Sequence, residues 1–206
     1  CMETVCIGCA LKHGMIENCP FCRTPLTLDD EAQIARIQKR VKANDPVAIH
    51  HLGICYRNGD CGLEKDMSRA VELFERAAVL GLKKAHFDLG YIFDEDTDDK
   101  GIAKDMSRAS ELYEIAAKQG HVLARFSLGI IDLKSGKYGL ALKHWIISAK
   151  LGCPASLGAI KDLFREGLAS KSDYAEAMRG YHDAVKEMSS PERDEAKAFA
   201  EAGGHG

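Results

Sequence analysis

The pentapeptide Asp66-Met67-Ser68-Arg69-Ala70 returns unchanged at Asp105-Met106-Ser107-Arg108-Ala109, 39 residues later. Self-similarity at a period of about 20–50 residues is the signature of a repeat architecture, in which no unit buries its apolar face alone and each must stack on its neighbours. Such a chain forms an extended stack with a long surface for partners. Binding is therefore the first expectation, with chemistry sought outside the repeats.

Aligned on the pentapeptide, the match spreads in both directions. The pattern A-x-x-x-L-G occurs at Ala48/Leu52/Gly53, Ala85/Leu89/Gly90 and Ala124/Leu128/Gly129. Downstream come Ala77-Ala78-x-x-Gly81, Ala116-Ala117-x-x-Gly120 and Ser148-Ala149-x-x-Gly152. A weaker fourth unit sets Ala177 and Tyr181 in register with Ala141 and Trp145.

Each unit reads as two helices. Asp45-Pro46 supplies an N-cap and a proline at the first helical position. Asp66 caps the second helix, and Gly81 suits the position just past its end. A glycine inside a helix costs about 1 kcal/mol relative to alanine. Its return at Gly53, Gly90 and Gly129 points to close approach of a neighbouring helix, with the aromatic column Phe74, Tyr113, Trp145 and Tyr181 filling the space beside it. An apolar stripe at helical spacing reads as core rather than as a cofactor-stacking ladder.

These residues resemble the Sel-one-like repeat, a helical-hairpin relative of the tetratricopeptide repeat. The resemblance covers residues 45–152 well and extends more weakly to 189. It implies an all-α fold: a right-handed α-solenoid of about four hairpins that serves as an adaptor for protein complexes. Clients would lie on the concave face lined by the first helices. There the columns Ile49/His86/Arg125 and His51/Asp88/Ser127 change chemistry within a constant frame, as a selective surface or an unselected solvent face would.

Two departures stand out. The second unit replaces the usual glycine-rich turn with Asp94-Glu95-Asp96-Thr97-Asp98-Asp99. The third is shortened, with 12 residues from Gly129 to Ala141 against 17 and 19 in the earlier units, so superhelix curvature is expected to change there. Asp94, Asp96, Asp98 and Asp105 match four positions of a calcium loop, but Asp99 stands where the turn needs glycine and the bidentate Glu is missing. A solvated loop is the better reading.

Of the eight cysteines, Cys1, Cys6, Cys9, Cys19 and Cys22 crowd the N-terminus in the spacing C-x4-C-x2-C-x9-C-x2-C. Two C-x-x-C knuckles can complete a tetrahedral thiolate site, so zinc in a reducing compartment is expected. The segment resembles the second half of a RING finger. Cys1 matches that pattern's third ligand, Cys6 and Cys9 its fifth and sixth, and Cys19 and Cys22 its last pair, with Glu3 where the fourth ligand, usually His, belongs. The first cysteine pair would precede residue 1. In the cross-braced form Cys1, Cys19 and Cys22 hold one zinc, with Glu3 or His13 as fourth-ligand candidates; the competing form is one zinc on Cys6, Cys9, Cys19 and Cys22. By resemblance, Pro20 docks a ubiquitin-conjugating enzyme, Arg23 bridges that enzyme to ubiquitin, and Ile7 or Leu11 adds apolar contact.

The composition narrows the alternatives. A net charge of -3 and pI near 6.3 argue against nucleic acid as partner, and no apolar run reaches the roughly 18 residues of a membrane span. No small-molecule substrate is expected. Some secreted bacterial proteins with these repeats are linked to β-lactam binding and carry a regular cysteine pair in each repeat; Cys55, Cys61 and Cys153 form no such series. An S-x-x-K nucleophile motif is missing, and the adjacent His50 and His51 point to different helix faces.

The chain thus divides into a partial zinc finger at 1–26, a connecting helix at 27–44 opened by Thr27 with Asp30, repeats at 45–81, 82–120, 121–152 and 153–189, and a tail at 190–206. It begins at Cys1 without an initiator Met and is expected to be a trimmed piece of a longer protein. The expectation is an intracellular adaptor, cytoplasmic or nuclear. It would act as a ubiquitin ligase or a ligase-derived scaffold, or else as a non-catalytic scaffold whose zinc knuckles are purely structural.

Overall fold

The structure, a computed structural model, describes residues 30–95 and 102–189. Among these residues every regular element is an α-helix. In chain order they are α1 (Asp30–Lys42), α2 (Pro46–Asn58), α3 (Met67–Val79), α4 (Lys83–Asp94), α5 (Met106–Lys118), α6 (Val122–Lys134), α7 (Tyr138–Lys150), α8 (Pro154–Arg165) and α9 (Lys171–Met188). The five zinc-ligand candidates, with Glu3, Ile7, Leu11, His13, Pro20, Arg23 and Thr27, lie outside the described residues. So do Asp96, Asp98 and Asp99 of the acidic turn and the tail from residue 190.

The repeated pentapeptide starts a helix each time. Asp66 accepts a hydrogen bond from Arg69 N at 3.0 Å, and Asp105 does the same for Arg108 N at 3.0 Å, satisfying a donor that the first turn would otherwise leave open. Asp45 caps α2 likewise, accepting from Val47 N and Ala48 N ahead of Pro46. Gly81, Gly120 and Gly152 follow the ends of α3, α5 and α7 with φ of 88°, 80° and 86°, the left-handed conformation that glycine adopts without cost.

Helices pair as hairpins, α2 on α3, α4 on α5 and α6 on α7, and successive hairpins stack through α3 on α4 and α5 on α6. The interior glycines explain the closeness of each pair. A Cβ on Gly53 would sit 2.7 Å from the Phe74 ring, and one on Gly90 2.8 Å from Tyr113. One on Gly129 would sit 2.6 Å from Cδ1 of Trp145. The aromatics are buried to 0%, 1% and 2% exposure, so the column is core as its spacing predicts. Trp145 satisfies its indole by donating Nε1 to the Phe126 carbonyl at 3.1 Å.

Tyr181 departs from this column. It is only half-buried, because exposed Lys161 stands where the earlier units have their glycine, although Ser156, Ile160 and Ala177 hold the remaining positions buried. The helix α9 packs against both α7 and α8.

At the other end, α1 covers the first hairpin. Ile37 is buried against Leu52 and Cys55, with Ile34 and Val41 alongside. Arg76 ties the junction by donating to the Val41 carbonyl and to Asn44 Oδ1, and Arg40 pairs with Asp45.

Candidate partner-binding face of the first helices

The frame residues of α2, α4 and α6 (Ala48, Leu52, Ala85, Leu89, Ala124 and Leu128) are all buried, so the residues between them decide what each helix offers outward. Ile49 corrects the sequence expectation. It is fully buried among Phe74, Ala85 and Leu89 in the main core, which in the first unit extends one position further round the helix than in the next two. His86 and Arg125, in the same column, are half-buried.

Asp88 is a second correction. Expected on the surface, it is 8% exposed and accepts a hydrogen bond from His50 Nε2 at 2.5 Å. His50 is 4% exposed and its ring lies 5.2 Å from that of Phe74. A buried carboxylate needs such a partner, and this one connects α2 to α4 across a repeat boundary. Sequence reasoning treated His50 only as the neighbour of His51. The signal that could have revealed the pair is an acid in α4 placed 38 residues after a histidine in α2.

What remains outward is a set of half-buried polar groups. The rings of His51 and His86 are only partly exposed, and each buries its Nδ1 without a hydrogen-bond partner. Burial lowers the pKa of His51, helped by the nearby His50 and Lys84 and opposed by Asp60. Burial also lowers that of His121, which caps α6 through Nδ1, with Asp88 opposing and Lys83 and Lys84 adding. The His121 ring stacks on Phe87 at 4.4 Å. Arg125 donates to the Ala117 carbonyl at 3.0 Å, and half-buried Ser127 hydrogen-bonds the Tyr113 hydroxyl, whose pKa is pushed up first by burial and then by Asp94.

The arrangement suits recognition: the half-buried imidazoles of His51 and His121, pushed towards neutrality by burial, stand on a rigid frame beside exposed Lys83 and Lys84. Among the described residues no three His, Cys, Asp or Glu side chains gather as a metal site, and no helix is long and apolar enough to cross a membrane.

The pentapeptide arginines also do more than face solvent. Arg69 lies over the Tyr56 ring at 5.4 Å and Arg108 over Phe93 at 4.1 Å, each closing its hairpin across the turn. Arg108 further pairs with Glu75 of the preceding hairpin at 2.6 Å.

Residues 46–82 and 83–121 match the Sel1 repeat. Two hairpins of the chain thus match Sel1 repeats. Each matched segment takes in one hairpin, α2 with α3 and α4 with α5. Among solved structures, a Sel1 repeat protein from Oxalobacter formigenes is similar at 25% identity and a TM-score of 0.66, covering 87% of this chain and 70% of that one. A protective antigen of uropathogenic Escherichia coli displaying an SLR fold is similar at 23% identity and a TM-score of 0.64, over 79% of this chain and 34% of the antigen. An immunity protein from Pseudomonas aeruginosa follows at 21% identity and a TM-score of 0.51, over 78% of this chain and 60% of that one. The latter two share the fold. No curated protein matches the chain significantly.

Proposed function

We propose that this chain is an adaptor whose Sel1 repeats hold a protein client through the outward residues of α2, α4 and α6. The observation that carries this reading is the contrast within those helices. Their frame positions repeat and are buried, while His51, His86, Arg125 and Ser127 differ in chemistry and stand half-buried at the surface. A rigid frame with changing contact residues gives selectivity without rebuilding the fold.

The cysteine spacing extends the proposal. Cys1, Cys6, Cys9, Cys19 and Cys22 would bind zinc in a RING-like module, with Pro20, Arg23, Ile7 and Leu11 meeting a ubiquitin-conjugating enzyme so that a client on the repeats is brought to its thioester. A second reading rests on the same residues: Glu3 in a ligand position favours zinc knuckles that only stabilise the N-terminus of a pure interaction module.

Single-turnover discharge of ubiquitin from a charged conjugating enzyme to free lysine separates the two. The ligase reading expects zinc-dependent acceleration that Arg23→Ala reduces. No acceleration with zinc, and no effect of Arg23→Ala, leaves the interaction module.

A further inference from the structure

The first hairpin contains a feature that its sister hairpins lack. Cys55, near the end of α2, and Cys61, in the turn leading to α3, place their sulfurs 3.1 Å apart. That is about 1 Å beyond a disulfide bond. In the aligned column Cys55 is replaced by Ile92 and Ile131, so packing at this position needs only an apolar side chain. Cys61 packs half-buried against the same small cluster, where an apolar side chain would serve as well; a thiol there adds a redox partner for Cys55.

The turn holds this geometry in place. Gly59 N and Asp60 N both donate to the Cys55 carbonyl, at 2.8 and 2.9 Å, and Leu63 N donates to the Asp60 carbonyl at 3.1 Å. Cys61 itself has φ of 58°, between Asp60 and Gly62, so the chain doubles back towards Cys55. Cys55 is 1% exposed, whereas Cys61 is half-buried and within reach of a small reagent.

We propose that Cys55 and Cys61 form a reversible two-electron dithiol–disulfide site whose oxidant is a low-molecular-weight disulfide. The Cys61 thiolate attacks one sulfur of that disulfide, forming a mixed disulfide and releasing one small thiolate. Cys55 then gives its proton to water, and its thiolate attacks Cys61 Sγ, breaking the mixed bond and expelling the second small thiolate. Two protein thiols lose two electrons and two protons; the small disulfide gains them and becomes two thiols. Burial, and then the hydrogen bond with Cys61, push the Cys55 thiol up to about 12. Burial persists once Cys61 is in the mixed disulfide, so the second step is slow near neutrality and gains rate with pH.

The new bond would tie the end of α2 to the turn into α3, in the cluster where Ile37 of α1 packs on Leu52 and Cys55. Oxidation would thus staple the hairpin that carries His50 and His51, which makes the site a redox control on the first repeat.

The test is equilibration of the zinc-loaded chain with glutathione redox mixtures, followed by acid quenching, alkylation and tryptic mapping without reduction. Cleavage after Lys42, Arg57 and Lys65 puts the two cysteines in separate peptides, 43–57 and 58–65. The expected product is those peptides linked and two hydrogens lighter, reversed by dithiothreitol and lost in Cys61→Ser. Its formation should quicken roughly tenfold per pH unit from pH 7 to 9. Both thiols remaining alkylated in oxidising mixtures overturns the proposal. So does Cys61 carrying glutathione without linkage, or linkage only to Cys153 or the N-terminal cysteines. If Cys61→Ser fails to fold, the peptide map and pH dependence of the native chain decide alone.

Discussion

His50 Nε2 and Asp88 Oδ2 lie 2.5 Å apart in the interior and join the first helix of one Sel1 repeat to the first helix of the next. Most contacts between repeats are apolar and tolerate some sliding; a hydrogen bond between buried groups fixes one register. Asp88→Ala leaves the imidazole without its acceptor and should cost about 1–3 kcal/mol in urea unfolding, while Asp88→Asn, which keeps an acceptor, should cost less. Equal losses in the two variants would show that the bond contributes little.

The interior glycines give a prediction of opposite signs. Gly129→Ala forces a methyl into the Trp145 indole and Gly90→Ala into the Tyr113 ring, both buried with little room to yield. Overpacking of this kind should cost about 1–3 kcal/mol, more at Gly129. Gly158 of α8 has nothing within 4 Å of an added Cβ, so Gly158→Ala should gain about 0.5–1 kcal/mol from helix propensity alone. Thermal melts of the three variants check the order.

Helix caps divide the hairpins in the same way. Asp66→Ala and Asp105→Ala each remove a side-chain acceptor from a helix start and should each cost about 1 kcal/mol. At α7 the N-cap residue is Lys137, which makes no side-chain cap hydrogen bond. Lys137→Ser should therefore stabilise the third hairpin by up to about 1 kcal/mol, measured by denaturant midpoint.

Acid should weaken the fold through three histidines. Burial is the largest cause lowering the pKa of His51, His121 and His144 from 6.5. The unfolded chain therefore binds protons at these sites before the folded one does. Stability from them is present above pH 6.5, falls as the pH drops through that value, and stops falling below the depressed folded pKa values. The melting temperature should be lower at pH 5 than at pH 7.5, and His144→Gln should flatten part of that slope.

Much of the fold was legible because the residues that build it recur. Asp66 and Asp105 announce helix starts through one side-chain preference, and Gly53, Gly90 and Gly129 signal close packing because an interior glycine has no other use there. The outward face was harder to read. Ile49 looked variable beside His86 and Arg125, yet in the first unit the core reaches one position further and takes it in. Asp88 looked like a surface acid because its partner lies a repeat away, and no local pattern displays a contact between helices that are not consecutive. Tyr181 fell short of the core for a reason written in the sequence, the exchange of glycine for Lys161, which the alignment of aromatics alone passed over.

The claim that α2, α4 and α6 hold the client is tested most directly by quantitative proximity labelling in cells, with helical content of each variant verified by circular dichroism. The native chain is compared with His51→Ala/His86→Ala/Ser127→Ala and with Glu72→Ala/Glu111→Ala, which alters exposed aligned positions on α3 and α5. Partners labelled by the native chain and by the second-helix variant should fall at least about tenfold with the first-helix variant, as loss of about 1.4 kcal/mol or more of binding requires. Unchanged labelling by the first-helix variant, or loss confined to Glu72→Ala/Glu111→Ala, would contradict the account.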